Sequence, residues 1–447
     1  MRRPWRRQGP TNDRRRGHPL RRGRILLPVR ADALPARGHE AVAGAGDRWK
    51  VALLVVLLPL FGQSFHYLID LAPTYLLSKA WPFVTLPLAL LGLMRAAPPM
   101  TVLVLTMLAY VLGVTPLLSM VQLGNGFFDA LATTVKAWPL AYYFSLTGLL
   151  ALTLPKPATI QRALVILGIA TFGLMIALWF VVPRSWYVTD VALSKFFIFE
   201  TERGYRLYMP MFLGTLALFL CGRYAMATPG RRWLLLLIPL AMLAQILIYK
   251  QRVVIAGTAG IIGLGILVMM PSRLRRLGII GALVVGAVGL FLLFSGILTA
   301  GLDQSLGHSL SIRQNSFSLA IEYVAQDLMR LIFGVGSVTR HSAVTMADLF
   351  GDASFYLADI GWAGILFEYG AIGTGLIAVV HAAAAIITWR NARLLGDPLS
   401  AALFDYVLYI ILTSSIYSVM FLPGELATVT ALSVYLVRCR SGALPSA

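Results

Sequence analysis

Three short stretches of this sequence carry basic side chains suited to binding an anion. Arg203 and Arg206 lie in TERGYRLY, Lys250 and Arg252 in YKQRVVIAG, and Arg313 in SIRQNSF. A guanidinium binds phosphate oxygens through parallel N–H donors, and an ammonium adds a point charge. A cation at a helix end can also reach the headgroup of a membrane lipid. These residues are therefore candidates either for a phosphate-binding site or for lipid anchors.

Side chains that can accept a proton from a hydroxyl follow the third basic stretch. They are His341, Asp352, Asp359 and Glu368. Carboxylates and imidazoles are the usual general bases of enzymes. Glu368 falls inside an apolar segment, where an ionisable residue is by default a functional hypothesis. An ion pair with an arginine, holding helices together, is the alternative for Glu368.

The elements that must position these groups are membrane-spanning helices. The chain has 447 residues, of which 58% are hydrophobic and only 13% charged, whereas about 25% are charged in an average soluble domain. We predict an all-α, polytopic bundle of about twelve transmembrane helices over residues 51–440. The predicted segments are 51–70, 77–94, 100–121, 131–153, 161–183, 207–226, 232–249, 252–271, 276–299, 361–388, 401–420 and 424–438.

The positive-inside rule orients this predicted bundle. If the N-terminus is cytoplasmic, every cytoplasmic connection is basic and both termini lie inside. The five basic candidates then violate the rule, because they fall on the periplasmic side of an inner membrane. Such exceptions need a reason, and a bound phosphate would supply one.

Residues 1–50 form a basic tail outside the predicted bundle. They hold 13 Arg and one Lys against four acidic residues, so about half of the net charge of +19 is concentrated there. The tail lacks apolar periodicity and is predicted to be disordered in the cytoplasm. It could instead be translated sequence upstream of the true start. Because the excess charge is concentrated in this tail, it does not indicate that the protein binds nucleic acid.

The predicted periplasmic loop 300–360 is too long to be structureless. Its first part predicts an amphipathic helix of about five turns, because apolar residues recur at helical spacing. These residues are Phe317, Ile321, Val324, Leu328 and Leu331. Arg313 stands one turn before the first of them, so it is expected close to the buried face. The glycines of FGVG, Gly334 and Gly336, end the helix.

Several kinds of site have no signature in the sequence. There is no P-loop, no H-E-x-x-H and no G-x-S-x-G, and the carboxylates form no Asp-rich metal motif. Two cysteines do not suggest a disulfide scaffold. We therefore predict no cofactor and no metal.

Four stretches together resemble the superfamily of O-antigen polymerases (Wzy-type) and O-antigen ligases, bacterial membrane proteins of polysaccharide assembly. They are TERGYRLY, YKQRVVIAG, the loop from SIRQNSF to FGVG, and DIGWAGILFEYGAIG. The resemblance covers roughly residues 203–373. It implies a glycosyltransferase that takes its donor glycan from undecaprenyl diphosphate on the periplasmic face, with membrane lipid around it and a chain-length regulator and a flippase as candidate partners.

The resemblance also assigns roles to the candidate residues. Arg252 and Arg313 would contact the diphosphate, supported by Lys250, Arg203 and Arg206. Ligases of this superfamily place a His before the hydrophobic end of the loop, where this chain has Asp359. That difference favours a polymerase with Asp359 as the base. His341 is the next candidate, followed by Asp352 and Glu368.

Two alternatives to a polymerase stay open. A ligase would move glycan from the same donor to lipid A core or to protein. A transporter of an anionic lipid or polysaccharide would use no chemistry, and would be expected to show internal repeats and ionisable residues in mid-span. No repeat is obvious in the sequence.

Overall fold

The structure, a computed structural model, describes residues 45–69, 71–189, 196–201, 203–281, 309–337, 342–351, 355, 357–421 and 423–441. Of the predicted tail, residues 1–44 lie outside the described ranges. The ninth predicted segment, 276–299, is described only up to residue 281. The first helix begins at Ala45, six residues earlier than predicted.

Helices and short turns alternate through the first half of the chain. The helices are α1 (Ala45–Phe61), α2 (Ala72–Val84), α3 (Leu86–Leu91), α4 (Thr101–Ala109), α5 (Thr115–Leu123), α6 (Phe127–Thr133), α7 (Tyr142–Thr153) and α8 (Pro157–Val181). 3₁₀ or π turns cover Ser64–Tyr67, Gly92–Ala96, Tyr110–Val114, Thr134–Lys136, Trp138–Ala141 and Arg184–Trp186.

The second half begins with a β-hairpin and continues with helices. The strands are β1 (Phe197–Glu200) and β2 (Gly204–Leu207). The helices are α9 (Phe212–Ala227), α10 (Leu237–Ala244), α11 (Arg252–Met269), α12 (Ser309–Ala325), α13 (Leu328–Phe333), α14 (Met346–Phe350), α15 (Trp362–Leu395), α16 (Pro398–Thr413) and α17 (Pro423–Ser441). Short turns cover Pro229–Leu236, Gln245–Tyr249, Leu357–Ile360 and Val419–Phe421.

Within the described residues, five helical segments are long and apolar enough to cross a membrane. They are Ala72–Ala96, Thr101–Leu123, Pro157–Val181, Pro229–Tyr249 and Trp362–Leu395. Three shorter apolar helices are Phe212–Ala227, Arg252–Val268 and Pro398–Thr413. The chain is therefore a membrane-embedded helical protein, and the count of twelve spans stays a prediction.

The hairpin is the exception to the all-α prediction. Phe199 pairs with Tyr205 and Ile198 with Arg206, in antiparallel register. Each strand has only four residues, which is too short for a period of two to stand out from the sequence of a loop. Val188 adds an isolated bridge to Ile198.

The bundle is held by a continuous buried core and by ion pairs between helices. Its largest fully buried side chains include Tyr142, Tyr369 and Tyr406. Arg223 on α9 forks onto both carboxylate oxygens of Asp405 on α16. A charge surrounded by apolar helices needs such a partner, so this pair has a structural explanation.

The predicted amphipathic helix of the long loop is present, but its buried face is not the predicted one. It is divided into α12 and α13, with Asp327 capping the second helix. Of the predicted stripe only Val324 is fully buried, whereas Phe317, Leu328 and Leu331 are exposed. The buried face instead carries small residues, Ser316 and Ala320, because these let the helix approach its neighbours closely.

Candidate anion-binding site

The β-hairpin positions two of the predicted arginines. Alternation along β2 turns Arg206 inward, where it is 6% exposed. Its Nη2 donates to Glu200 on β1, while Nε and Nη1 have no hydrogen-bond partner among the described residues. Arg203 lies in the hairpin turn, with Nε 3.4 Å from the other carboxylate oxygen of Glu200. One carboxylate thus orders two guanidinium groups and leaves part of the buried one unsatisfied.

Lys250 approaches the hairpin from the π turn that precedes α11. Its φ of 57° is left-handed and ends the turn, with its N–H bonded to the carbonyl of Gln245 at 2.7 Å. Its Nζ donates to the carbonyl oxygen of Arg203 at 2.7 Å. Burial, and then the nearby charge of Arg206, lower the pKa of Lys250. A left-handed lysine is unusual, and such outliers concentrate at functional sites.

Three cations line one cleft of about 480 Å³. Its lining is Arg203, Lys250 and Arg252 together with Ile246, Ile255, Ala256 and Ala259. Arg252 is the exposed first residue of α11. We call this the cationic cleft. It combines positive charge with aliphatic side chains, a combination suited to an amphiphile with an anionic head.

Tyr417 connects the cleft to the predicted base. Its hydroxyl donates to Oε1 of buried Gln251, between Lys250 and Arg252, at 2.9 Å. The backbone N–H of Ser418 bonds to the carbonyl of Ala358 at 2.9 Å. That contact holds the turn Leu357–Ile360, which carries Asp359, beside the phenol.

Four of the candidate residues influence the ionisation of the Tyr417 phenol. Burial raises the pKa of its phenol, and so does the carboxylate of Asp359, while Arg313, Arg203 and Arg206 act in the opposite direction. The helix α12, which carries the partly buried Arg313, packs against the turn of Asp359. The structure therefore brings Arg203, Arg206, Arg313 and Asp359 within electrostatic range of one phenol.

Glu368 occupies a different position from the other candidates. It is buried on α15 and pairs with Lys136, a lysine rather than an arginine. It does not line the cationic cleft as the structure describes it. Its backbone carbonyl accepts from Gly336 at 3.1 Å, next to a left-handed break at Gly370. These contacts favour its role in holding helices together.

The two remaining predicted bases, His341 and Asp352, lie outside the described residues. The described part of the candidate site therefore consists of the basic residues, Asp359 and their neighbours.

Sequence reasoning missed three contributors to the site. Glu200 was overlooked because a carboxylate in a basic stretch is not itself an anion ligand. Tyr417 was overlooked because predicted span 401–420 extended past the end of α16 at Thr413. Gln251 was overlooked with it, because its role depends on the hydrogen bond from Tyr417. The polar run Ser414–Ser415 was the available signal that the helix ends there.

The arrangement suits anion binding combined with proton transfer. Three cations line a cleft together with aliphatic side chains, and the turn that carries Asp359 packs against α12, the helix of Arg313. No group of three or more His, Cys, Asp or Glu side chains within the described ranges is placed to hold a metal ion. No family model matches the chain, and no curated protein matches it.

Proposed function

We propose that the protein is a polysaccharide polymerase that transfers a growing glycan from undecaprenyl diphosphate to a lipid-linked repeat unit. The observation that carries this proposal is the cationic cleft, in which Arg203, Lys250 and Arg252 share one cavity with aliphatic side chains. A prenyl diphosphate has the same division between a doubly charged head and an apolar tail.

The cations are suited to stabilising the leaving group. Guanidinium groups in a partly buried site act on a diphosphate more strongly than they would in water. Arg206, which shares Glu200 with the cleft residue Arg203, has two nitrogens, Nε and Nη1, without a partner among the described residues. A diphosphate oxygen would satisfy them, which offsets the cost of burying that guanidinium.

The proposed reaction is a glycosyl transfer between two lipid-linked sugars. A hydroxyl oxygen of the acceptor forms a bond to the anomeric carbon of the donor. The bond from that carbon to the diphosphate oxygen breaks, and the diphosphate keeps the electron pair. Asp359 accepts the hydroxyl proton. Both lipids are confined to one membrane, so the reactants are held near each other at little cost in binding.

The proposal also fixes an orientation. With twelve spans and both termini in the cytoplasm, the cationic cleft faces the periplasm of an inner membrane. The donor carries its own activated bond, so no nucleotide sugar is needed there. This agrees with the sequence, which has no nucleotide-binding motif.

The test uses purified protein in liposomes with lipid-linked repeat units, and follows glycan length on gels. Arg252→Ala and Arg313→Ala are expected to lower the polymerisation rate by about a hundredfold, the usual scale for one transition-state contact. Arg232→Ala, a change at an exposed arginine of the turn Pro229–Leu236, is the matched control and should keep the wild-type rate. Normal glycan length in both Arg252→Ala and Arg313→Ala would overturn the proposal.

Product analysis in cells separates the proposal from the rival activities. Loss of a polymerase leaves single repeat units, whereas loss of a ligase leaves long chains on undecaprenyl lipid. A transporter would move lipid-linked sugar across vesicles without lengthening it, and that flux would not depend on Arg313.

A further inference from the structure

One face of the hairpin carries a cluster of aromatic rings that the cationic cleft does not use. Phe199 and Tyr205 form a cross-strand pair with ring centroids 4.8 Å apart. Tyr187 lies edge-on to Tyr205 at 5.1 Å and to Phe197 at 5.6 Å. Trp186 extends the cluster, 6.4 Å from Phe197, and is 62% exposed. We call these five rings the aromatic face.

The aromatic face is joined to the cationic cleft through the hairpin itself. Tyr205 lies between Arg203 and Arg206 in sequence, and side chains alternate along a strand. Arg206 and Tyr205 therefore lie on opposite faces of the hairpin, with Arg206 buried and Tyr205 half-buried. Arg203 lies in the hairpin turn and also lines the cleft. A chain of a few sugars leaving the cleft around Arg203 can pass this turn to reach the aromatic face.

We propose that the aromatic face is a glycan subsite that binds sugars of the repeat unit beyond the one attached to the diphosphate. The inference rests on the proposed function, because it assumes that the cleft binds a diphosphate that carries a glycan. The axial C–H bonds of a pyranose form an apolar face with partial positive charge. Such a face packs against the negative face of an aromatic ring.

The surroundings of the rings favour a sugar over a lipid tail. Arg184 places its guanidinium 5.2 Å from the ring centre of Tyr205. A charged group this close to the rings belongs in water or among headgroups rather than in hydrocarbon. Polar groups beside an aromatic surface suit a ligand with hydroxyls around an apolar face.

The experiment compares binding of three probes to the full-length protein in nanodiscs. The probes are undecaprenyl diphosphate, the same lipid carrying one sugar, and the complete lipid-linked repeat unit extracted from the producing bacterium. Wild type is expected to bind the complete unit most tightly. Trp186→Ala should weaken that binding by about fivefold, the scale of one aromatic contact, and leave the other two probes unchanged.

Two further variants control for folding and for a membrane role. Trp186→Phe keeps a ring and should retain most of the preference for the complete unit. Phe128→Ala removes an even more exposed ring from α6, 82% exposed and paired with Phe127, and should change no affinity. Tyr187→Ala provides a second deletion on the aromatic face.

The outcomes separate this inference from the proposed function. Unchanged affinity of Trp186→Ala and Tyr187→Ala for the complete unit overturns the glycan subsite. Equal loss of all three probes, with a shifted depth in the membrane, identifies the rings as an interfacial anchor and overturns it too. If wild type fails to bind even sugar-free undecaprenyl diphosphate, the proposed function itself fails.

Discussion

The hydroxyl of Tyr417 donates a hydrogen bond to the side-chain oxygen of Gln251, across 2.9 Å and 166 residues of sequence. Gln251 stands in sequence between Lys250 and Arg252, two of the three cations that line the cleft. The turn carrying Tyr417 also holds Asp359 in place through the bond from Ser418 to Ala358. The bond from Tyr417 to Gln251 and the bond from Ser418 to Ala358 together link the cationic cleft to the turn that carries the proposed base, Asp359.

Tyr417→Phe is expected to weaken binding of undecaprenyl diphosphate. The change leaves the Gln251 oxygen unpaired in a buried position, which costs about 1–3 kcal/mol and loosens the cations on either side. The matched control is Tyr224→Phe, which removes the equivalent bond to Gln161, 2.6 Å long, at a site that does not line the cleft. Isothermal titration should show lower affinity for Tyr417→Phe alone. Equal affinity in both variants would contradict the role of the pair.

The affinity for a diphosphate is expected to fall with rising pH. The fall should begin at a lower pH than a lysine with the ordinary pKa would produce. Burial and Arg206 lower the pKa of Lys250, so its free form loses its charge below the usual range near 10.5. An anion is bound by the charged form, so affinity is complete below this pKa and is lost as the pH rises through it. Lys250→Arg, which stays charged, should remove the decline. A wild-type affinity that is flat between pH 7 and the ordinary lysine pKa would argue against this contact.

Comparing Lys250→Gly with Lys250→Ala is expected to distinguish the effect of backbone strain at position 250 from the effect of the lysine charge. The left-handed backbone at this position costs an L-residue about 1–2 kcal/mol, and glycine adopts it freely. Lys250→Ala removes the same charge and keeps the strain. Both variants should lose the same diphosphate affinity, whereas the glycine variant should melt at a higher temperature in detergent than the alanine variant. A lower melting temperature for the glycine variant would contradict the assignment of strain.

Gly334→Ala is expected to lower the free energy of unfolding by about 3 kcal/mol or more. A β-carbon there would lie 2.5 Å from the backbone nitrogen of Gly370 and 2.5 Å from the carbonyl oxygen of Glu368. That approach docks the end of the long loop onto the break in α15, where the Tyr110 hydroxyl also bonds the Phe333 carbonyl at 2.9 Å.

The control for this clash is Gly351→Ala. Gly351 also has a positive φ, of 66° and in the αL region, but a β-carbon added there would have no atom of the described residues within 4 Å. It should cost only the conformational term, about 1 kcal/mol. Equal destabilisation of the two variants, measured by thermal melting, would show that the close approach at Gly334 has no energetic weight.

Glu368→Gln is expected to destabilise the bundle by about 1–3 kcal/mol, because it leaves the partly buried Lys136 without its charged partner. The double change Lys136→Met with Glu368→Met should recover most of that loss. Polymerisation activity distinguishes the two roles of Glu368. Activity should return with stability if the pair only holds helices together. A stable but inactive double variant would instead make Glu368 a member of the reaction.

The choice of basic residues was accessible from sequence because it depended on local charge. A cation next to an apolar run is visible without any knowledge of packing. Counting connections placed Arg203, Lys250 and Arg252 on one predicted side, and the cleft contains all three. The buried face of α12 was not accessible in the same way. Hydrophobicity predicts a buried stripe in water, whereas close packing selected Ser316 and Ala320.

By itself, the sequence determined that the chain is a helical membrane protein and that its cations collect in a few connections, because both conclusions follow from local composition. Only the tertiary structure decided which groups meet. The four-residue strands, the Tyr417 bond to Gln251 and the Gly334 contact with Gly370 join residues whose sequence neighbours carry no trace of the partner. Such contacts are selected by shape and by the need to satisfy buried polar groups.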